Sequence, residues 1–163
     1  RLARQAGKPV LLDTSGPPLA AALEARPTLI KPNADEVRQL LGGAARTRTE
    51  LAAAAEQLRE GGVDTVAVSL GKDGVLVAGR EGVYQGLTPD IPVVNTVGCG
   101  DSMVAGFAVG LARGWPLPRR IRYAVAVSTA NALTQATGSF RPADLEALLP
   151  QVKVERLPVG RRP

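Results

Sequence analysis

Histidine is absent from this 163-residue chain. That absence removes Ser-His-Asp catalysis, histidine general bases and most zinc sites. There is one cysteine, Cys99, so no internal disulfide can form, which fits a reducing, cytoplasmic location. Aromatic residues make up only 3% of the chain, so its core must come from Val, Leu, Ile and Ala. Long apolar runs are missing as well. The longest, "MVAGFAVGLA" (Met103 to Ala112), falls short of the about 18 to 20 residues a membrane span needs. The opening "RLARQAGKPV" is basic, has no apolar signal core behind it, and reads as the tail of a helix entering a strand. The chain is therefore expected to begin in mid-domain.

Apolar residues account for 45% of the sequence, which argues against disorder and suffices for one domain with its own core. The formal charge is +5 and the sequence pI about 10.0. Arginines gather at Arg46 and Arg48, at Arg119, Arg120 and Arg122, and at Arg161 and Arg162. Such a surplus attracts nucleic acid, membrane surface or phosphorylated metabolites. No aromatic interleaving or nucleic-acid module accompanies it, so solvated arginines on helix faces and a tail are the better reading. Neither a nucleic-acid nor a membrane partner is expected.

Short apolar runs alternate with helical patterns. Val10 to Leu12 and Thr28 to Ile30 read as brief buried strands, ending in "DTSG" and "KPN". Pro32 would disrupt a central strand, which makes Lys31 to Asn33 a loop. "PPLAAALEA" reads as a helix opened by proline, and "ADEVRQLLGG" as one closed by Gly42. "TRTELAAAAEQLREGG" is a further helix, with Thr49 as its expected cap and Gly61-Gly62 as its end. "DTVAVSLG" reads as a strand, and "DGVLVAGREGVYQG" as a hairpin turning around Gly79 to Gly82. Helices are expected from Asp101 to Arg113, over "RRIRYAVAVSTANALTQA", and from Pro142 to Leu149. "VKVERL" closes the pattern as an edge strand. Together these predict an α/β fold with a mostly parallel sheet, in which ligands bind beyond the carboxyl ends of the strands.

Chemistry concentrates in "NTVGCGDSMVAGF", Asn95 to Phe107. It fails the dinucleotide fingerprint at Met103 and lacks the Gly-Lys-Ser/Thr of a Walker loop. Gly98 and Gly100 still let backbone N–H groups turn toward an anion, and the following helix adds its N-terminal partial charge. Asp101 has two readings here. It caps the helix, or it takes the proton of a hydroxyl attacking a phosphoryl group. The residues alone leave the two evenly balanced.

The same segment resembles the signature of the ribokinase-like (PfkB) carbohydrate kinases. "KPNADEVRQLLG", "VSLGKDGVLV" and "ALTQATG" with "VKVERL" are similar to the branch that contains 1-phosphofructokinase and tagatose-6-phosphate kinase. Four segments in the family's order, from about Val10 to Leu157, carry the resemblance. It implies a ribokinase-like three-layer αβα sandwich of which this chain is the C-terminal portion. That portion would be a single partial domain holding the nucleotide site and the catalytic base, without the N-terminal sugar-binding and lid part.

By resemblance, Asp101 is the general base, and the amides of Gly98, Cys99 and Gly100 form the anion hole for the transferred phosphoryl group. Ser69, Leu70, Gly71, Lys72, Asp73 and Gly74 correspond to the nucleotide loop, although a strand-to-hairpin turn has the same composition. Lys31 and Asn33 match residues that face the ATP phosphates and magnesium. Val125, Thr129 and Asn131 lie on the helix that borders the adenine and a monovalent-cation site; ordinary helix packing explains them nearly as well. No residue is assigned as a metal ligand. The implied activity is phosphorylation of fructose 1-phosphate by ATP with Mg2+ and a monovalent cation such as K+, in a complete protein that forms a homodimer. Tagatose 6-phosphate and fructose 6-phosphate are the alternative substrates, and a non-catalytic nucleotide-binding remnant is the alternative class. Gly106 and Gly110, spaced as in a membrane GxxxG motif, are expected to pack their helix closely against a neighbour.

Overall fold

The structure, a computed structural model, describes residues 2–43 and 45–158. Arg161 and Arg162 lie outside the described residues. A single helical turn, α1 (Leu2–Gln5), leads into β1 (Leu11–Leu12). Then follow α2 (Gly16–Leu23), opened by prolines in its first turn, β2 (Leu29–Ile30), α3 (Ala34–Leu40), α4 (Arg48–Glu60) and β3 (Thr65–Ser69). β1 pairs with β2 and β2 with β3, both in parallel, with Leu11 opposite Leu29 and Ile30 opposite Val66. Parallel neighbours require a crossover, which α2 supplies for the first pair and α3 with α4 for the second.

β4 (Val75–Gly79) and β5 (Gly82–Leu87) are joined by Arg80 and Glu81 alone, a connection short enough only for an antiparallel hairpin. The helices α5 (Cys99–Ala112), α6 (Leu117–Ala132) and α7 (Pro142–Leu148) come next, and β6 (Lys153–Leu157) ends the described chain. The six strands form one sheet in the order β1-β2-β3-β4-β5-β6, which places β6 at an edge as expected.

The described residues fall into two compact units. The first holds those up to Leu70, Leu76–Tyr84 and those from Arg156; the second holds Gly71–Val75 and Gln85–Glu155. In the first, Ile30, Val66 and Val68 of the strands are buried with Val37 of α3 and Leu51, Ala55 and Leu58 of α4. This core is aliphatic throughout, as the scarcity of aromatics requires. In the second unit α5 packs on α6 and α6 on α7. A Cβ at Gly106 would lie 2.6 Å from Ala124 Cα, so the two helix backbones approach closely where the glycine spacing predicts it.

Three boundaries differ from the sequence pattern. α4 is capped by Thr47, not Thr49: Thr47 Oγ1 accepts from Glu50 N–H, and the Glu50 carboxylate accepts from Thr47 N–H. Thr-x-x-Glu is a capping box, and Thr49 has no glutamate three residues on. α5 starts at Cys99, before Asp101, because Gly98 in the left-handed conformation (φ 82°) ends the loop. α6 stops at Ala132, and residues 133–139 turn back in a series of short hydrogen bonds organised by Thr134.

Candidate active site

Gly98 is the N-cap of α5, and Cys99, Gly100 and Asp101 form its first turn. The first N–H groups of a helix have no partner within it. Ser102 N–H makes the first intrahelical bond, to Gly98 C=O at 2.8 Å, and Cys99 N–H donates to Thr96 C=O at 3.2 Å. Among the described residues, no acceptor meets the N–H groups of Gly98, Gly100 or Asp101. Of the three amides expected to form an anion hole, Gly98 and Gly100 are open, while Cys99 is engaged within the loop.

Asp101 is exposed at the third helical position, and its carboxylate has no hydrogen-bond or ion-pair partner among the described residues. The capping reading is thereby corrected, since Gly98 occupies the cap. A carboxylate in the first turn interacts favourably with the helix dipole and here stays free for chemistry.

α6 holds this loop from behind. Ser128 Oγ donates to Cys99 C=O at 2.9 Å, and Asn131 Nδ2 donates to Val97 C=O at 3.0 Å. Asn131 Oδ1 accepts from Gly138 N–H at 2.7 Å, and Nδ2 lies 3.4 Å from Cys99 Sγ. Val94 and Asn95 N–H both donate to Ala132 C=O, and Asn95 Nδ2 donates to Gln135 C=O. Val125, Thr129 and Asn131 are all buried. Thr129 Oγ1 bonds Val125 C=O one turn back, and Val125 packs against Gly86 of β5. Sequence reasoning passed over Ser128; the available signal was a pair of polar residues at i and i+3 inside the apolar stretch "VAVSTANA".

The expected nucleotide loop is a tight turn. Gly71–Asp73 form a 3-10 turn, and Gly71 and Gly74 have φ values of 60° and 87°. A Cβ at Gly74 would run into Gly86 C=O, so glycine is required there by space as well as by conformation. Lys72 and Asp73 are exposed.

In the first unit, Lys31 is buried, with Nζ 3.0 Å from Asp13 Oδ2. Asn33 caps α3: Oδ1 accepts from Glu36 N–H at 2.9 Å, while Glu36 accepts from Asn33 N–H at 2.8 Å. Asn33 also bridges to Ser69, whose N–H donates to Pro32 C=O at 2.9 Å, tying the ends of β2 and β3 together. Leu70, the next residue, is partly buried against the aliphatic core. Asp13 and Glu36 went unassigned in the sequence. "KPNADE" contains the Asn-x-x-Glu capping pattern that would have found Glu36.

A short glycine turn, open amides and a free carboxylate on one helical turn suit phosphoryl chemistry. Over residues 1–144 the sequence matches the profile of the pfkB family carbohydrate kinases. The chain belongs to that family. This family member is 42% identical to the 1-phosphofructokinase of Rhodobacter capsulatus over 159 residues, covering 96% of this chain and 50% of the relative. It is 38% identical to the 1-phosphofructokinase of Bacillus subtilis (strain 168) over 154 residues, covering 94% and 50%. Phosphofructokinase-2 from Escherichia coli in complex with potassium matches it with a TM-score of 0.85 at 31% identity, covering 91% of this chain and 49% of that one. The α/β class of this pfkB chain is that of the ribokinase-like kinases, as expected. It spans about half the length of the curated relatives it matches. Among the described residues no helix is long and apolar enough to cross a membrane.

Proposed function

We propose that this chain supplies the ATP-binding and catalytic-base part of a kinase that converts fructose 1-phosphate to fructose 1,6-bisphosphate. The observation that carries the reading is the free Asp101 carboxylate on the same helical turn as the open N–H groups of Gly98 and Gly100. In the proposed step the Asp101 carboxylate takes the proton of the sugar hydroxyl. The hydroxyl oxygen forms the new bond to the γ-phosphorus as the bond to the bridging oxygen breaks, and ADP leaves. The amides of the turn bind the equatorial oxygens where charge spreads.

Fructose 1-phosphate ranks first because the Rhodobacter capsulatus and Bacillus subtilis relatives are 1-phosphofructokinases. Tagatose 6-phosphate and fructose 6-phosphate follow. Mg2+ would arrive on the ATP phosphates, where it needs only one or two protein carboxylates and water. The potassium named for the Escherichia coli relative supports a monovalent cation here too. Homodimerisation and a cytoplasmic location complete the proposal. The half-length match favours a second statement: these 163 residues alone bind nucleotide weakly and turn over no sugar.

The test is ATP-dependent phosphorylation across a sugar-phosphate panel by the full product of the encoding reading frame. Asp101→Asn keeps the shape and removes the base, so kcat should fall by at least about 100-fold. Activity within about tenfold of the parent overturns the assignment.

A further inference from the structure

Two of the open amides of the α5 turn, those of Gly98 and Gly100, share peptide units with the two carbonyls that α6 holds. In a trans peptide the C=O and the following N–H point in opposite directions. Asn131 Nδ2 draws Val97 C=O toward α6, which aims Gly98 N–H away from that helix. Ser128 Oγ draws Cys99 C=O the same way, which aims Gly100 N–H away. Ser128 and Asn131 stand three residues apart, on one face of α6. The peptide between them, joining Gly98 to Cys99, carries the amide committed to Thr96.

We infer that Ser128 and Asn131 are positioning residues that set the direction of the phosphate-binding amides of Gly98 and Gly100. Resting on the function proposed above, this gives Asn131 a role at the turn and adds Ser128 to the site. Asn131 is fully buried, and its amide needs both ends: Nδ2 for Val97 and Oδ1 for Gly138 N–H. Neither aspartate nor leucine can supply that pair of bonds. Without the two donors the Val97 and Cys99 peptide units can rotate, and the anion pocket loses its preorganisation rather than its sequence.

The experiment follows backbone amide resonances of the 15N-labelled chain during titration with ATP and magnesium chloride. In the parent, the Gly98 and Gly100 amides should shift together. In Ser128→Ala and in Asn131→Ala, the response of these two amides should require at least about tenfold more ATP, with α4 resonances unchanged. Ser128→Ala deletes a single atom and decides the matter even where Asn131→Ala does not fold. Ser128→Thr retains the hydroxyl and should restore the response. A lowered melting temperature with an unaltered Gly98 and Gly100 response would show a purely structural role and overturn the inference. If ATP binds the parent without moving either glycine amide, the functional reading itself fails.

Discussion

Gly98 faces Thr137 across the turn that opens α5: a Cβ at position 98 would lie 2.6 Å from Thr137 Cγ2 and 3.1 Å from Gly138 N. With φ at 82°, any side chain there is disfavoured by its own backbone as well. Gly98→Ala should cost about 1–2 kcal/mol in thermal unfolding, the usual penalty of a left-handed non-glycine residue. It should also abolish the ATP response of the turn. An alanine variant with parent stability and parent ATP binding would contradict this account of the loop.

Helix α4 separates two threonines. Thr47→Ala removes the cap and should lower stability by about 1 kcal/mol, whereas Thr49→Ala, inside the helix, should be neutral or slightly stabilising. Urea unfolding of both variants measures the difference. Glu50 adds a pH signature. Hydrogen bonds from the Thr47 and then the Arg46 backbone N–H hold its carboxyl below its ordinary value of 4.5. A depressed folded-state pKa stabilises above the unfolded value and loses that contribution as pH falls through the folded one. The parent should therefore lose more stability than Glu50→Gln on acidification below about pH 4.5; parallel curves would remove Glu50 from the cap.

Between α5 and α6 the two glycines are unequal. At Gly106 an added methyl meets Ala124 Cα, which is backbone and cannot step aside. At Gly110 it meets Arg120 Cγ at 2.9 Å, part of a flexible side chain. Gly106→Ala should cost about 1–3 kcal/mol, as overpacking does, and Gly110→Ala distinctly less. Equal melting temperatures for the two variants would show that the helix pair is not clamped at Ala124.

Cys99 is half-buried at the first position of α5, with its Sγ beside Asn131. ATP seated on the turn should slow alkylation of this thiol several-fold. Measured by mass spectrometry with and without ATP, equal rates would argue that the phosphates bind elsewhere.

Much of the architecture was readable in the chain. The strand runs at Leu11, Leu29 and Val66 and the hairpin at Arg80 and Glu81 stand where the apolar pattern and glycine placed them, and the three later helices lie within a few residues of their expected spans. Helix starts were less legible at α4 and α5. Thr47 and Thr49 are equivalent by propensity, and only the reach of Glu50 back to Thr47 N–H distinguishes them. Asp101 looks like a cap until Gly98, three residues earlier, is seen to adopt the left-handed conformation and take the cap position.

The sequence by itself narrowed the chemistry. With no histidine in the chain, a carboxylate was the natural candidate for any base, and the glycine-rich turn offered main-chain donors, but the residues alone left Asp101 evenly balanced between cap and base. It also determined the aliphatic core, because local composition and periodicity suffice for that. Tertiary structure alone decided which groups are free to act. It buried Lys31 against Asp13, engaged the Cys99 amide with Thr96, and let Ser128 and Asn131 grip Cys99 and Val97. Those pairs lie 18, 3, 29 and 34 residues apart in the chain, and three of the four are set by packing between elements, which no local pattern of residues encodes.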